Sequence, residues 1–199
     1  MVGLVLAAGA GRRLGQPKAE VVVGGERLVD RAVRTLRAGG CREVVAVVRS
    51  ADLRVPGARL VVNPEPDAGM GSSLRCGLDA ISGISATDWP GQVVPQACLI
   101  TLVDLYDVEV GDVAAVLRAH RGGAEMVAMR RAGQRSHPVL VARRWFGDLS
   151  GAAVGDQGGR SFFADRVADT VFVDVPGAIS DIDTPEDLRQ ARVGAGESH

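Results

Sequence analysis

Apolar residues in this chain come as short unbroken runs, separated by stretches in which they recur every three or four positions. Val2–Ala7, Glu43–Val48, Arg59–Val62 and residues 97–103 have the length of strands, and 97–103 reads as the most buried. Leu28, Val29, Ala32, Val33 and Leu36 share one helical face and stop at Gly39-Gly40. Leu74, Leu78 and Ile81 repeat that spacing, with Ser72-Ser73 placed to cap the helix they mark. Val113, Val116, Leu117 and His120 predict another helix, ended by Gly122-Gly123. Residues 20–23, 125–129, 137–141 and 171–173 read as further strands, and Phe162-Phe163 as part of a short helix. Thr184-Pro185-Glu186-Asp187 is a helix start: a capping hydroxyl, a proline at the first helical position, and acids at the positive end of the helix dipole. Residues 83–96, rich in Gly, Ser, Pro and Asp, predict a surface loop.

Unbroken apolar strands alternating with helices predict an α/β fold. We expect a single Rossmann-like, three-layer domain over residues 1–193, with a mostly parallel central sheet and helices on both faces. Residues 194–199 would form a frayed tail. A chain of 199 residues is long enough for one such core. In these folds ligands sit beyond the carboxyl ends of the strands. The loop after Ala7 and the residues after Val103 should therefore lie close together.

That first loop is the most informative segment of the chain. Leu6, Ala7 and Ala8 lead into Gly9, Ala10 and Gly11, followed by Arg12, Arg13, Leu14, Gly15, Gln16, Pro17 and Lys18. Glycines let backbone N–H groups approach a ligand closely, and three cations stand among them, an arrangement suited to several phosphates. Arg13 offers a planar fork and Lys18 a mobile point charge; Arg12, by alternation, should point elsewhere. The loop is not a P-loop, because Gly15 is followed by Gln-Pro-Lys-Ala. Nor does it match the dinucleotide fingerprint, since Leu14 stands where the third glycine belongs.

Composition narrows the partners. The net charge is −1 and only 4% of residues are aromatic, so neither a nucleic-acid groove nor a membrane surface is expected. Cys41, Cys76 and Cys98 are far apart and lack metal-ligand spacing. They are read as packing residues in a reducing cytoplasm, with no secretory leader or membrane span expected. A monomer or weak homodimer is expected.

Candidate acids follow the strands. Asp104 comes directly after the apolar run 97–103, where a magnesium ligand would be placed; magnesium takes few carboxylates and completes its shell with phosphate oxygens and water. Asp181 and Asp183 share one side of an extended segment, and either could reach the same metal, Asp183 first. A second glycine-rich turn carries Asp156 and Arg160, and His137 opens a strand. These could meet a second substrate, or serve the turn and the strand edge alone.

The run Leu6-Ala-Ala-Gly-Ala-Gly-Arg-Arg-Leu-Gly-Gln-Pro-Lys18 resembles the signature of MobA-like nucleotidyltransferases, most of all the molybdenum cofactor cytidylyltransferase branch. Gly11 stands for the pattern's serine and Leu14 for its methionine, both read as mild changes. The resemblance extends along nearly the whole chain. It takes in Asn63-Pro64 through Gly69-Met-Gly-Ser-Ser-Leu74, Asp104, His137-Pro-Val139, Gly155-Asp156 with Arg160, and Asp181 to Asp187. It implies nucleotide contacts at Gly71 and Ser73 and metal contacts at Asp104 and Asp183. His137, Asp156, Arg160 and Asp181 would lie on the acceptor side. It implies transfer of NMP, CMP from CTP by Ala8, to a phosphate-bearing acceptor such as molybdopterin, with Mg2+ as cofactor. Some relatives are oxidoreductases acting on heterocyclic pigments, so an NAD(P)H-dependent reductase stays open, as does a non-catalytic nucleotide-binding protein. Tyr106, where the family has proline, and Pro66, where it often has an aromatic, are expected near the acceptor.

Overall fold

The structure is a computed structural model that describes residues 1–83 and 94–196. Most of the loop expected at 83–96, and the end of the expected tail, lie outside the described residues.

The described chain forms nine strands and six helices in the order β1 (Val2–Ala7), β2 (Val22–Val23), β3 (Glu26–Arg27), α1 (Leu28–Ala38), β4 (Glu43–Val48), β5 (Arg59–Val62), α2 (Met70–Ser82), β6 (Ala97–Leu102), α3 (Val110–Arg121), β7 (Met126–Arg131), β8 (Gln134–Ala142), α4 (Phe146–Ala152), α5 (Arg160–Ala164), β9 (Thr170–Val175) and α6 (Pro185–Gly194). Seven strands make one sheet, ordered β5-β4-β1-β6-β8-β7-β9, and β2 pairs with β3 in a separate ribbon. β1, β4, β5 and β6 are parallel neighbours, as is the β7–β9 pair; β8 runs antiparallel to both β6 and β7.

Alternation along the strands sends side chains into two cores. Val5, Ala7, Val44 and Ala46 face α1 and α3, whose Leu28, Val33, Leu36, Val113 and Val116 cover that side. Leu4, Leu6, Val45 and Val47 face α2, α4 and α5 through Leu74, Leu78, Phe146, Leu149 and Phe162. Side chains such as Leu4, Leu36 and Leu78 are essentially solvent-free, and each contributes about 1.5–3 kcal/mol by leaving water. The expected three-layer α/β architecture is the one observed.

Several local expectations need correction. Residues 20–23 do not form one strand, because Lys18–Glu20 is a 3-10 turn and only Val22–Val23 pairs. α2 starts at Met70 with Gly69 as its N-cap, so Ser72 and Ser73 lie inside the first turn rather than capping it. β6 ends at Leu102, although Val103 N still donates to Leu6 O at 3.2 Å. β7 and β8 extend through charged residues to Arg131 and Gln134, joined by Ala132 and Gly133 at φ of 47° and 76°. Two central residues at positive φ form the tight hairpin that matches strand twist. α4 was not anticipated. α6 ends at Gly194, with Ala195 N of its C-cap donating to Ala191 O at 3.0 Å. No helix among the described residues is long and apolar enough to cross a membrane.

Candidate active site

β1 and β6 are hydrogen-bonded neighbours, Leu6 opposite Leu102, so their carboxyl ends deliver two loops to one edge of the sheet. The loop after β1 is closed by Leu14 N on Gly11 O at 2.9 Å and by Lys18 N on Gly9 O at 3.2 Å. Gly11 makes this closure possible: its φ is +58°, and a Cβ there would lie 1.9 Å from Gln16 O. The serine of the family pattern could not occupy this backbone. The exchange is therefore tied to the loop's shape and is not the mild change expected from sequence.

The loop after β6 is joined by the C-terminal segment. Leu105 bridges to Asp181, and Ile182 N donates to Asp104 O at 3.0 Å. Ile182 is buried, which turns Asp181 and Asp183 to the same side. The α6 cap fixes the backbone beside them. Asp187 Oδ2 accepts from Asp183 N at 3.1 Å and Thr184 N at 2.7 Å, while Thr184 Oγ1 accepts from Asp187 N at 3.2 Å. Bonds from the Thr184 side chain and backbone hold the Asp187 carboxyl below its usual range.

These loops converge on Lys18. Its ammonium donates to Asp104 Oδ2 at 2.5 Å and also to Asp183 Oδ1. Burial alone would lower the Lys18 pKa; Asp104 and Asp183 together outweigh it and hold the ammonium above its ordinary value. Arg13 stands 3.6 Å from the other oxygen of Asp183, with its own side chain 71% exposed. Arg12 does not point away from the site as expected: it pairs at 3.2 Å with Asp67, which also receives Arg49 at 2.8 Å, and all three line the cleft beside the glycine loop.

Asp104 Oδ1 is buried and has no hydrogen-bond partner among the described residues. The described residues hold no cluster of three or more metal-binding side chains. Two carboxylates with an unsatisfied oxygen suit magnesium, which is typically held by one or two protein carboxylates plus substrate phosphates. They would not make a closed cage of protein ligands.

Two cavities meet at this cluster. A cleft of about 430 Å³ runs from the glycine loop to Arg49 and Asp67. A larger one of about 700 Å³ opens between β8, α4 and the 155–160 turn. Lys18, Asp104, Asp183 and Asp156 line both.

The first cleft is lined by Leu6, Ala8, Gly9, Ala10, Gly11 and Ser73, but not by Ala7 or Gly71. Ala7 points into the opposite core. Gly71 lies under the chain at Ala153, where a Cβ would meet the Ala153 carbonyl oxygen at 2.7 Å. Ser73 is held by Asn63 Nδ2, which donates to both Ser72 and Ser73 hydroxyls.

His137, Asp156, Arg160 and Asp181 all line the second cavity. His137 Nδ1 lies 3.3 Å from Ile100 O, and since a carbonyl can only accept, Nδ1 carries the proton. Burial drives its pKa down to about 4, helped by the neighbouring Arg135.

Tyr106 is not at the acceptor side. It packs with Leu28 and Ala32 on the opposite face of the sheet, with Arg31 stacked 4.3 Å from its ring centre. Pro66 is not on the acceptor side either, since it lines the first cleft and not the larger cavity. Arg49, Asp67 and Arg135 line the cavities without having been expected. Only Arg49 carried a signal, its place just beyond the end of β4.

The model of the MobA-like NTP transferase domain matches residues 3–171. The chain belongs to that family. Among curated proteins it is 30% identical to nicotine blue oxidoreductase of Paenarthrobacter nicotinovorans, with 94% of each chain covered. The solved structure of Rv0371c from Mycobacterium tuberculosis matches with a TM-score of 0.77 at 22% identity, covering 96% of this chain and 97% of the other. That of 2-C-methyl-D-erythritol 4-phosphate cytidylyltransferase from Thermus thermophilus matches at 0.71 and 18%, covering 98% of each. At these identities the two structures show a common fold.

Proposed function

We propose that this protein is a magnesium-dependent nucleotidyltransferase that moves a nucleoside monophosphate, CMP from CTP, onto a phosphate oxygen of a small acceptor. The observation that carries the reading is the position of Lys18, Asp104 and Asp183 at the seam of the two cavities. A donor in the glycine-loop cleft and an acceptor in the larger cavity would meet there. A new bond forms between the acceptor's phosphate oxygen and the α-phosphorus; the bond from the α-phosphorus to the bridging oxygen breaks, and pyrophosphate leaves.

The chain's own residues supply alignment and charge. Glycine-loop N–H groups and Arg13 hold the triphosphate, and Lys18 faces the charge that develops on the reacting phosphoryl. Asp104 and Asp183 would hold magnesium, which neutralises phosphate charge when bound. The acceptor phosphate is already anionic at neutral pH, so no general base is required. His137 fits this, because with a pKa of about 4 it is a weak base.

CTP is favoured by Ala8 in the cleft and by the cytidylyltransferase among the structural neighbours. Molybdopterin is the acceptor that the sequence resemblance offers. A cytoplasmic location fits three unpaired cysteines. The test is a pyrophosphate-release screen of four NTPs with Mg2+ against a panel of phosphate monoesters that includes molybdopterin species. Release with CTP alone among the four supports the full reading.

The name of the Paenarthrobacter relative favours a second reading, a reductase acting on a heterocyclic compound. The loop argues against a dinucleotide there. The fingerprint places pyrophosphate on the N-terminus of a helix that opens within the loop, whereas here a 3-10 turn and the β2–β3 ribbon intervene before α1. Titration with NADPH against CTP and Mg2+ separates the two.

A further inference from the structure

The larger cavity contains a pair of cations that the proposed reaction leaves unused. Arg135, on β8, and Arg160, at the start of α5, both line it. The register that sets Ile100 opposite Val139 carries Arg135 toward the sheet edge where β6 gives way to Asp104. The Arg135 guanidinium lies over the face of Phe163, 5.0 Å from the ring centre. Neither arginine has a carboxylate within ion-pair distance among the described residues.

That absence is informative for the half-buried Arg135, because the other half-buried or buried arginines among the described residues meet a carboxylate or, like Arg31, Arg75 and Arg143, a backbone carbonyl; Arg160 is exposed at the cavity rim. Arg27 meets Asp30 at 2.6 Å, Arg49 meets Asp67 at 2.8 Å, and Arg131 meets Asp112 at 2.6 Å. Burying a cation without a counter-charge is costly. Here burial and the repulsion of Arg160 both act against the Arg135 charge, and no carboxylate among the described residues offsets them. Stacking on an aromatic face contributes only about 0.5–2 kcal/mol. Two unpaired guanidinium groups facing one cavity are suited to a ligand that brings its own anion, and a planar fork matches the oxygens of a phosphate.

We propose that Arg135 and Arg160 form a seat for the anionic phosphate end of the acceptor, and that Arg135, clamped on Phe163, sets which acceptors the cavity takes. The seat rests on the transferase reading for the identity of its ligand, but its existence is measurable without turnover.

The probe is phenyl phosphate, titrated by NMR in the absence of NTP, with phenol as the neutral control. Wild type is compared with Arg135→Met, Arg135→Lys, Arg160→Gln and Lys18→Ala. The seat predicts that Arg135→Met weakens phenyl phosphate by about tenfold or more, the scale of a lost charge-assisted hydrogen bond. Arg160→Gln should weaken it in the same direction, and Arg135→Lys should recover part of the loss. Phenol should not respond to any of the changes, and any loss in Lys18→Ala, another cation lining this cavity, should add to that of the arginine variants rather than replace it. Because half-buried Arg135 is held only by its stack on Phe163, where methionine can also pack, Arg135→Met should melt no lower than wild type; a purely structural arginine would melt lower and leave affinity untouched.

In turnover, Arg135→Met should raise the acceptor KM and leave the NTP KM unchanged. Unchanged phenyl phosphate affinity in both arginine variants, or affinity lost in Lys18→Ala alone, overturns the seat. If no NTP yields pyrophosphate with any ester, the transferase reading fails, while the titration still decides the seat.

Discussion

Lys18 Nζ stands 2.5 Å from Asp104 Oδ2, although 86 positions separate the two residues in the chain. The parallel pairing of β1 with β6 brings them together, and the returning segment at Asp181 to Asp183 adds the second carboxylate. We expect Lys18→Ala and Asp104→Asn each to lower kcat by about 10²–10³, the scale of one preorganised charged donor, as measured by pyrophosphate release. Lys18→Ala also leaves two carboxylates facing each other without their cation. Mg2+ should then raise its melting temperature more than that of wild type, because a ligand that binds only the folded state stabilises it. An equal shift in the two proteins would argue against a metal seat at these acids.

The same ammonium sets an alkaline limb. Its pKa in the folded protein is raised above 10.5, so its stabilising effect is complete below that pH and is lost as pH climbs through the higher folded value. The stability difference between wild type and Lys18→Met should be constant below about pH 10.5 and narrow above it. Asp187 acts at the other end. Its folded pKa is depressed below 3.8, so its contribution is present above 3.8 and lost as pH falls through the lower folded value. Urea titrations of Lys18→Met and Asp187→Ala at a series of pH values check both signs.

Gly11→Ser should damage the protein locally. The left-handed backbone and the clash with Gln16 O each demand rearrangement of the loop, at a cost of about 1–3 kcal/mol. NTP affinity should fall with stability, as read by calorimetry and thermal melts. A variant with wild-type affinity would show that the loop tolerates another closure.

Tyr106→Leu tests the division between the two faces of the sheet. The ring's stacking with Arg31 should be lost, at a cost of about 0.5–1 kcal/mol. Acceptor KM should not change, because the ring packs against α1 and not in the larger cavity. A clear rise in acceptor KM would contradict that separation.

Strand positions and layer order were legible in the sequence because buried parallel strands read as unbroken apolar runs. Strand direction was not. The run at Val139 to Val141 is equally apolar whichever way it points, so the antiparallel insertion of β8 left no mark. The charged ends of the β7–β8 hairpin were missed for a related reason. Arg130, Arg131, Gln134 and Arg135 have no hydrophobic signal, and Ala132 at a turn position needing positive φ is atypical. Arg135 was therefore hidden in the part of a strand that hydropathy does not show. At the candidate site, Lys18, Asp104 and Asp183 were readable because each follows or flanks a recognisable element. The sidedness of Ala7, Gly71 and Tyr106 depended on packing that no local pattern encodes.

The match to the family ends at residue 171, within β9, whereas Asp181 and Asp183 lie beyond it. A fragment trimmed at that boundary would keep the glycine loop and the central strands while losing one of the two acids that grip Lys18. Anyone dissecting this chain by family limits would thus isolate the cradle without its clasp, and an inert fragment would say nothing about the intact polypeptide.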